Sequence, residues 1–145
     1  MVRGIQSRIV SSSSDIIYLL DDEPSVLKAL GRLLASEGLA ALKFGDPASF
    51  LQHVRSHPVR LAVIDIRMPG MTGIDVMEEL RVLSPDTKTI IITGESDAIH
   101  RVAALAAGAV SFFLKPFDDE VFLQAVRTVI AKPARASGEN RDDLR

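Results

Sequence analysis

Three acids, one hydroxyl and one ammonium in this chain each follow a short apolar run, and together these types can handle a phosphoryl group. Asp21 and Asp22, with Glu23 behind them, follow Ile16 to Leu20, and Asp65 follows Leu61 to Ile64. Thr93, Gly94 and Glu95 follow Thr89 to Ile92, while Lys115, Pro116 and Phe117 follow Val110 to Leu114. Each has a bland explanation alone. Acids favour helix starts, where the macrodipole is positive. Asp65 heads a stretch of turn residues from Met68 to Gly73. A β-branched Thr93 suits a strand, and a lone lysine is usually a solvated charge. Three carboxylates brought together would raise one another's pKa, a conflict that a divalent cation removes. Magnesium suits them best, because it takes a couple of carboxylates, keeps several waters and accepts phosphate. No His or Cys lies near these acids in sequence to attract a softer metal. The Thr93 hydroxyl can donate to a phosphoryl oxygen, with Gly94 leaving room for close backbone approach. Lys115, between an apolar run and a proline, has a restricted backbone direction and can send its ammonium inward. Sequence alone does not establish a cis bond before Pro116. The inventory fits phosphoryl transfer, with Asp65 as the candidate acceptor.

The elements that must position these groups are legible as two kinds of segment. Short runs rich in branched residues read as strands buried on both faces: Ile16 to Leu20, Ala41 to Phe44, Leu61 to Ile64, Thr89 to Ile92 and Val110 to Leu114. Helical periods lie between them. Val26, Leu27, Leu30, Leu33 and Leu34 share one face of the first helix, with Pro24 in its first turn and Gly38 past its end. Phe50, Leu51 and Val54 mark the second; Ile74, Val76, Met77 and Leu80 mark the third, which ends before Ser84 and Pro85. Ile99, Val102, Leu105 and Ala106 mark the fourth, closed by Gly108. Val121, Phe122, Ala125, Val126 and Val129 mark the fifth, with Asp118 as its cap. Five strands alternating with five helices predict a doubly wound α/β fold of parallel strands, and of its common orders the flavodoxin-like (βα)5 order 2-1-3-4-5, with strands 1 and 3 neighbours at the switch point, is expected. Ligands of such sheets sit outside the carboxyl ends of the strands, which is where the acids, Thr93 and Lys115 fall.

A chain of 145 residues, 47% apolar and 25% charged, is one ordinary globular domain. Residues 1–15, ending in the serines Ser11 to Ser14, read as a polar N-terminal extension, residues 16–131 as the domain, and residues 132–145 as a tail or linker. The absence of cysteine excludes disulfides, thiol catalysis and thiolate metal sites. A net charge of -2 gives no sign of a nucleic-acid or membrane partner. No secretory h-region and no membrane-spanning apolar run is visible, so a cytoplasmic location is expected.

These pieces resemble the receiver domain of two-component response regulators. The resemblance rests on Leu20-Asp21-Asp22-Glu23, the run from Val63 to Gly73, Ile91-Ile92-Thr93-Gly94, and Gly108 to Phe117, in order and at family-like spacing. Arg67-Met68-Pro69 and Thr93-Gly94 look most like the nitrogen-fixation and NarL-like transcriptional regulators. The resemblance implies that Asp65 takes a phosphoryl group from a phosphohistidine on a sensor kinase or phosphotransfer protein. Asp22, Asp65 and the backbone carbonyl of Arg67 would ligate Mg2+, with Asp21 acting through a water. Lys115 and Thr93 would bind phosphoryl oxygens, and Phe112 would turn inward as Thr93 moves. The Lys115–Pro116 bond would be cis. Output, and dimerisation, would use the face of helix 4, strand 5 and helix 5. Phe112 stands at a switch position open to tyrosine, so switching here would rest on packing alone. Arg67 and Glu95 are expected to pair across the pocket mouth and slow hydrolysis of the acyl phosphate.

Other readings are weaker. An aspartate-nucleophile phosphatase of the haloacid-dehalogenase kind would want an acid two residues after Asp65, where Arg67 stands. A flavin module would want a phosphate-cradling loop after strand 1, where Asp21, Asp22 and Glu23 repel phosphate. A degenerate receiver that only binds partners would not need every expected polar group. His53, His57 and His100 are expected to be solvated, with neither a metal spacing nor a triad. Residues 131–145 leave no space for a helix-turn-helix, so the chain is expected to bind no nucleic acid.

Overall fold

The computed structural model describes residues 16–94 and 98–131. The expected extension 1–15, the tail 132–145 and Glu95 lie outside these residues. In chain order the elements are β1 (Ile17–Leu20), α1 (Pro24–Ala35), β2 (Ala41–Phe44), α2 (Pro47–Ser56), β3 (Leu61–Asp65), α3 (Gly73–Leu83), β4 (Lys88–Thr93), α4 (Ala98–Ala106), β5 (Ser111–Leu114) and α5 (Asp119–Ala131). The five strands form one sheet in the order β2-β1-β3-β4-β5. Every pairing is parallel. This is the predicted topology.

Side-chain alternation along the strands divides the core into two layers. Tyr18, Leu20, Ala62, Ile64 and Ile91 face α2, α3 and α4 through Phe50, Val54, Val76, Met77, Leu80 and Ala104. Ile17, Leu19, Leu61, Val63, Ile90 and Ile92 face α1 and α5 through Leu27, Leu30, Leu34, Phe122, Leu123 and Val126. Local chemistry sets the helix starts. Pro24 opens α1, where its missing N–H has no helical partner to lose. Thr72 and Asp75 close a capping box on α3. The Asp118 carboxylate accepts from Val121 N–H at 3.0 Å, the predicted cap of α5.

Two expectations need correction. Only β1, β3 and the body of β4 are buried on both faces; β2 and β5 are the sheet's edges and expose Leu42, Lys43 and Leu114. An edge strand has one neighbour, so one flank remains open. The apolar stripe marking α4 points outward: Ile99 is 75% and Val102 71% exposed, with Leu105 and Ala106 also exposed. The helix instead seats small Ala104 against the sheet. On α5 Val121 is likewise exposed, while Leu123, unmarked in the sequence pattern, is buried. Among the described residues no helix is long and apolar enough to cross a membrane.

Candidate functional site

Parallel pairing brings the carboxyl ends of β1, β3, β4 and β5 to one rim. Asp65 sits opposite Ile92, and Thr93 opposite Leu114, so the residues after each strand converge. Asp21 and Asp65 are buried and Asp22 is exposed. One carboxylate oxygen from each of Asp21, Asp22 and Asp65 lies within 4.8 Å of the other two. Lys115, which precedes a cis peptide bond to Pro116, brings its Nζ to 3.0 Å from Asp21 Oδ2 and 3.8 Å from Asp65 Oδ1. Asp21 also accepts the Glu23 backbone N–H on Oδ1, at 2.9 Å. Thr93 is fully buried.

The loop after β3 is held close by a glycine. Gly73 N–H donates to Ile66 carbonyl oxygen at 2.9 Å, and a Cβ on Gly73 would collide with the backbone carbonyl oxygen of Asp65. No larger residue lets α3 start so near the acceptor. Gly70, at φ 85°, makes the turn that returns the chain. At Gly94, by contrast, an added Cβ would meet only Lys115 Cδ at 4.0 Å, so the protein's own packing does not require a glycine there.

The electrostatics follow from burial and crowding. Burial, then the charge of Asp21, pushes Asp65 up to about 6; Asp22 adds to this, while Lys115 and the Arg67 N–H pull the other way. Burial likewise raises Asp21 against the pull of Glu23 N–H and Lys115. For Lys115 burial works downward, yet the Asp21 hydrogen bond and the surrounding carboxylates outweigh it and raise the ammonium above its ordinary value. Asp65 Oδ1 and Thr93 Oγ1 are both buried without a hydrogen-bond partner. Buried polar atoms are seldom left so. An orphaned carboxylate oxygen amid an all-oxygen donor set fits a hard divalent cation, and the residues present fit Mg2+.

The other sequence candidates are placed as follows. Phe112 is already turned inward, 8% exposed, with the Arg101 guanidinium 5.4 Å from its ring centroid. Arg67 is exposed and lines a cavity with Met68, Pro69, Thr72 and His100 of α4; its expected partner Glu95 lies outside the described residues. His57 is exposed as expected, while His53 is only partly so. They stack at 4.3 Å at the end of α2, and His53 packs on Tyr18 and Phe44. Glu23 is no named site residue in the sequence reading, yet its Oε1 lies 3.6 Å from Lys115 Nζ. The run Asp21-Asp22-Glu23 was its one visible signal.

A parallel sheet with acids, a buried threonine and an inward lysine at its carboxyl rim defines a doubly wound α/β domain built to handle phosphate. The chain belongs to the response regulator receiver domain family, whose model matches residues 17–127. The response regulator protein TodT of Pseudomonas putida is 39% identical over 123 residues, covering 85% of this chain and 54% of that protein. The chain thus spans about half the length of this curated relative. Among solved structures, FixJ-N is 33% identical with a TM-score of 0.75, over 83% of this chain and 96% of that one. The beryllofluoride-activated NtrC4 receiver domain dimer is 26% identical with a TM-score of 0.76, over 81% of this chain and 97% of that one. Receiver domains of this family are phosphoacceptor switches of two-component systems.

Proposed function

We propose that Asp65 is the phosphoacceptor, and that the donor is a phosphohistidine on a sensor kinase or phosphotransfer protein. The carrying observation is a buried carboxylate whose Oδ1 has no hydrogen-bond partner, grouped with two further acids and 3.8 Å from a lysine ammonium. In the transfer an Asp65 oxygen attacks phosphorus, a P–O bond forms, and the P–N bond to the imidazole breaks. Asp22, Asp65 and the Arg67 carbonyl would hold Mg2+, with Asp21 in support through a water. When bound, the ion neutralises carboxylate and phosphoryl charge. Lys115 supplies a second cation, 3.8 Å from Asp65 Oδ1. Thr93 offers its buried hydroxyl to a phosphoryl oxygen, and Phe112 is the switch aromatic. Arg67 and Glu95 at the mouth modulate the phosphoryl lifetime.

In this reading residues 16–131 are the receiver unit, cytoplasmic and acting as a switch rather than a turnover enzyme. Its output face is α4, β5 and α5. There Ile99, Val102, Leu105, Val110, Leu114 and Val121 are exposed, an apolar surface suited to a second receiver copy. Incubation with acetyl phosphate and Mg2+, read by intact mass, tests the acceptor. One phosphoryl group is expected on the wild type and none on Asp65→Ala; persistence in the variant refutes the assignment.

A further inference from the structure

Lys115 poses a question of geometry. Its ammonium lies 3.8 Å from a buried Asp65 oxygen that has no hydrogen-bond partner, yet it does not close the gap. It is committed elsewhere. Asp21 Oδ2 accepts from Nζ at 3.0 Å, and Glu23 Oε1 lies at 3.6 Å, nearer than Asp65. Glu23 occupies the N-cap of α1, where a carboxylate would ordinarily accept from the helix N–H groups, but its side chain makes no cap bond. Its own N–H is taken by Asp21 Oδ1. So Asp21 binds the Glu23 backbone with one oxygen and Lys115 with the other. The Glu23 side chain forgoes its helix and leans toward the same ammonium.

Resting on the phosphoacceptor reading above, we infer that Glu23 is a positioning residue that, with Asp21, tethers Lys115 short of Asp65, so an arriving phosphoryl group must win the ammonium from it. The Lys115 side chain is 19% exposed and that of Glu23 62%, so the two meet at the wet mouth of the site. A contact of this kind is weak and easily broken, which suits a tether that must release.

Two substitutions separate the tether from the mere charge. Glu23→Ala removes both. Glu23→Asp keeps the charge but shortens the side chain and favours capping of α1 instead. Beryllofluoride titration of the full chain with Mg2+ is expected to show both variants binding about two- to five-fold more tightly than wild type, the range of an exposed ion pair. In the metal-free chain, trace labelling with acetic anhydride, read by peptide mass, is expected to modify Lys115 faster by a similar factor in both. If Glu23→Asp matches wild type in either measurement, the tether is wrong and only its charge matters. If Glu23→Ala also matches, Glu23 has no part. Failure of wild type itself to bind beryllofluoride would count against the phosphoacceptor reading instead.

Discussion

Thr87 and Thr93 bracket the same strand, β4, in opposite circumstances. At the amino end Thr87 Oγ1 donates to Val59 carbonyl oxygen at 2.6 Å and lies 2.7 Å from Ser84 Oγ. Nearby, Lys88 N–H reaches Arg60 carbonyl oxygen at 2.8 Å, the Arg60 guanidinium donates to Val129 carbonyl oxygen at 3.1 Å, and Tyr18 OH donates to His57 carbonyl oxygen at 3.0 Å. At the carboxyl end Thr93 Oγ1 and Asp65 Oδ1 are buried with no such partner. One sheet thus has an end where polar groups close on one another and an end where two of them do not. The first kind of polarity stabilises the fold. The second costs stability and persists because something outside the chain is to be bound there.

The largest test of that contrast is charge removal at Asp65. Its proton is held more tightly in the folded chain, from 3.8 up to about 6, so the ionised form at pH 7 opposes folding by about 2–3 kcal/mol. The stabilisation from proton binding is fully present below about 3.8 and is lost as pH rises through about 6. Asp65→Asn is therefore expected to be the more stable chain in urea unfolding at pH 7 with EDTA, by about 2–3 kcal/mol, the gap narrowing toward pH 4. A wild type as stable as the variant at pH 7 would make the carboxyl rim no different from the amino rim.

The amino rim predicts the opposite sign. Thr87→Val deletes the donor to the Val59 carbonyl and strands Ser84, whose residue is 6% exposed. A loss of about 1–2 kcal/mol in the same unfolding assay is expected, since a half-buried acceptor is left without its bond. No loss would mean that water replaces the hydroxyl there, and the contrast would weaken.

The succession of strands and helices and the rim residues were legible because both are local readings. Strand-like runs and helical periods sit in windows of a few residues, and each rim residue directly follows its run. Exposure was not local. An apolar run such as that of β2 reads alike whether its faces are covered or open, and the stripe of Ile99, Val102 and Leu105 has a helical period whether it faces the core or solvent. Leu123 was missed because the first turn of α5 offers apolar residues on both sides, and packing against the sheet selects Phe122 and Leu123 over Val121. Glu23 was missed because a helix cap and a lysine tether call for the same residue type. Only the path of the side chain tells them apart.

The smallest effect is the most discriminating. Thr93→Val makes at the carboxyl end of β4 the swap that Thr87→Val makes near its start. The fully buried Thr93 hydroxyl has no bond to lose, so exchanging it for a methyl removes an unsatisfied group. The variant is expected to be unchanged or up to about 1 kcal/mol more stable, and still to take a phosphoryl group on Asp65 by intact mass. It would lack the hydroxyl that answers that group. A loss of stability as large as that of Thr87→Val would show that Thr93 has a structural bond after all, and that the two ends of β4 are alike.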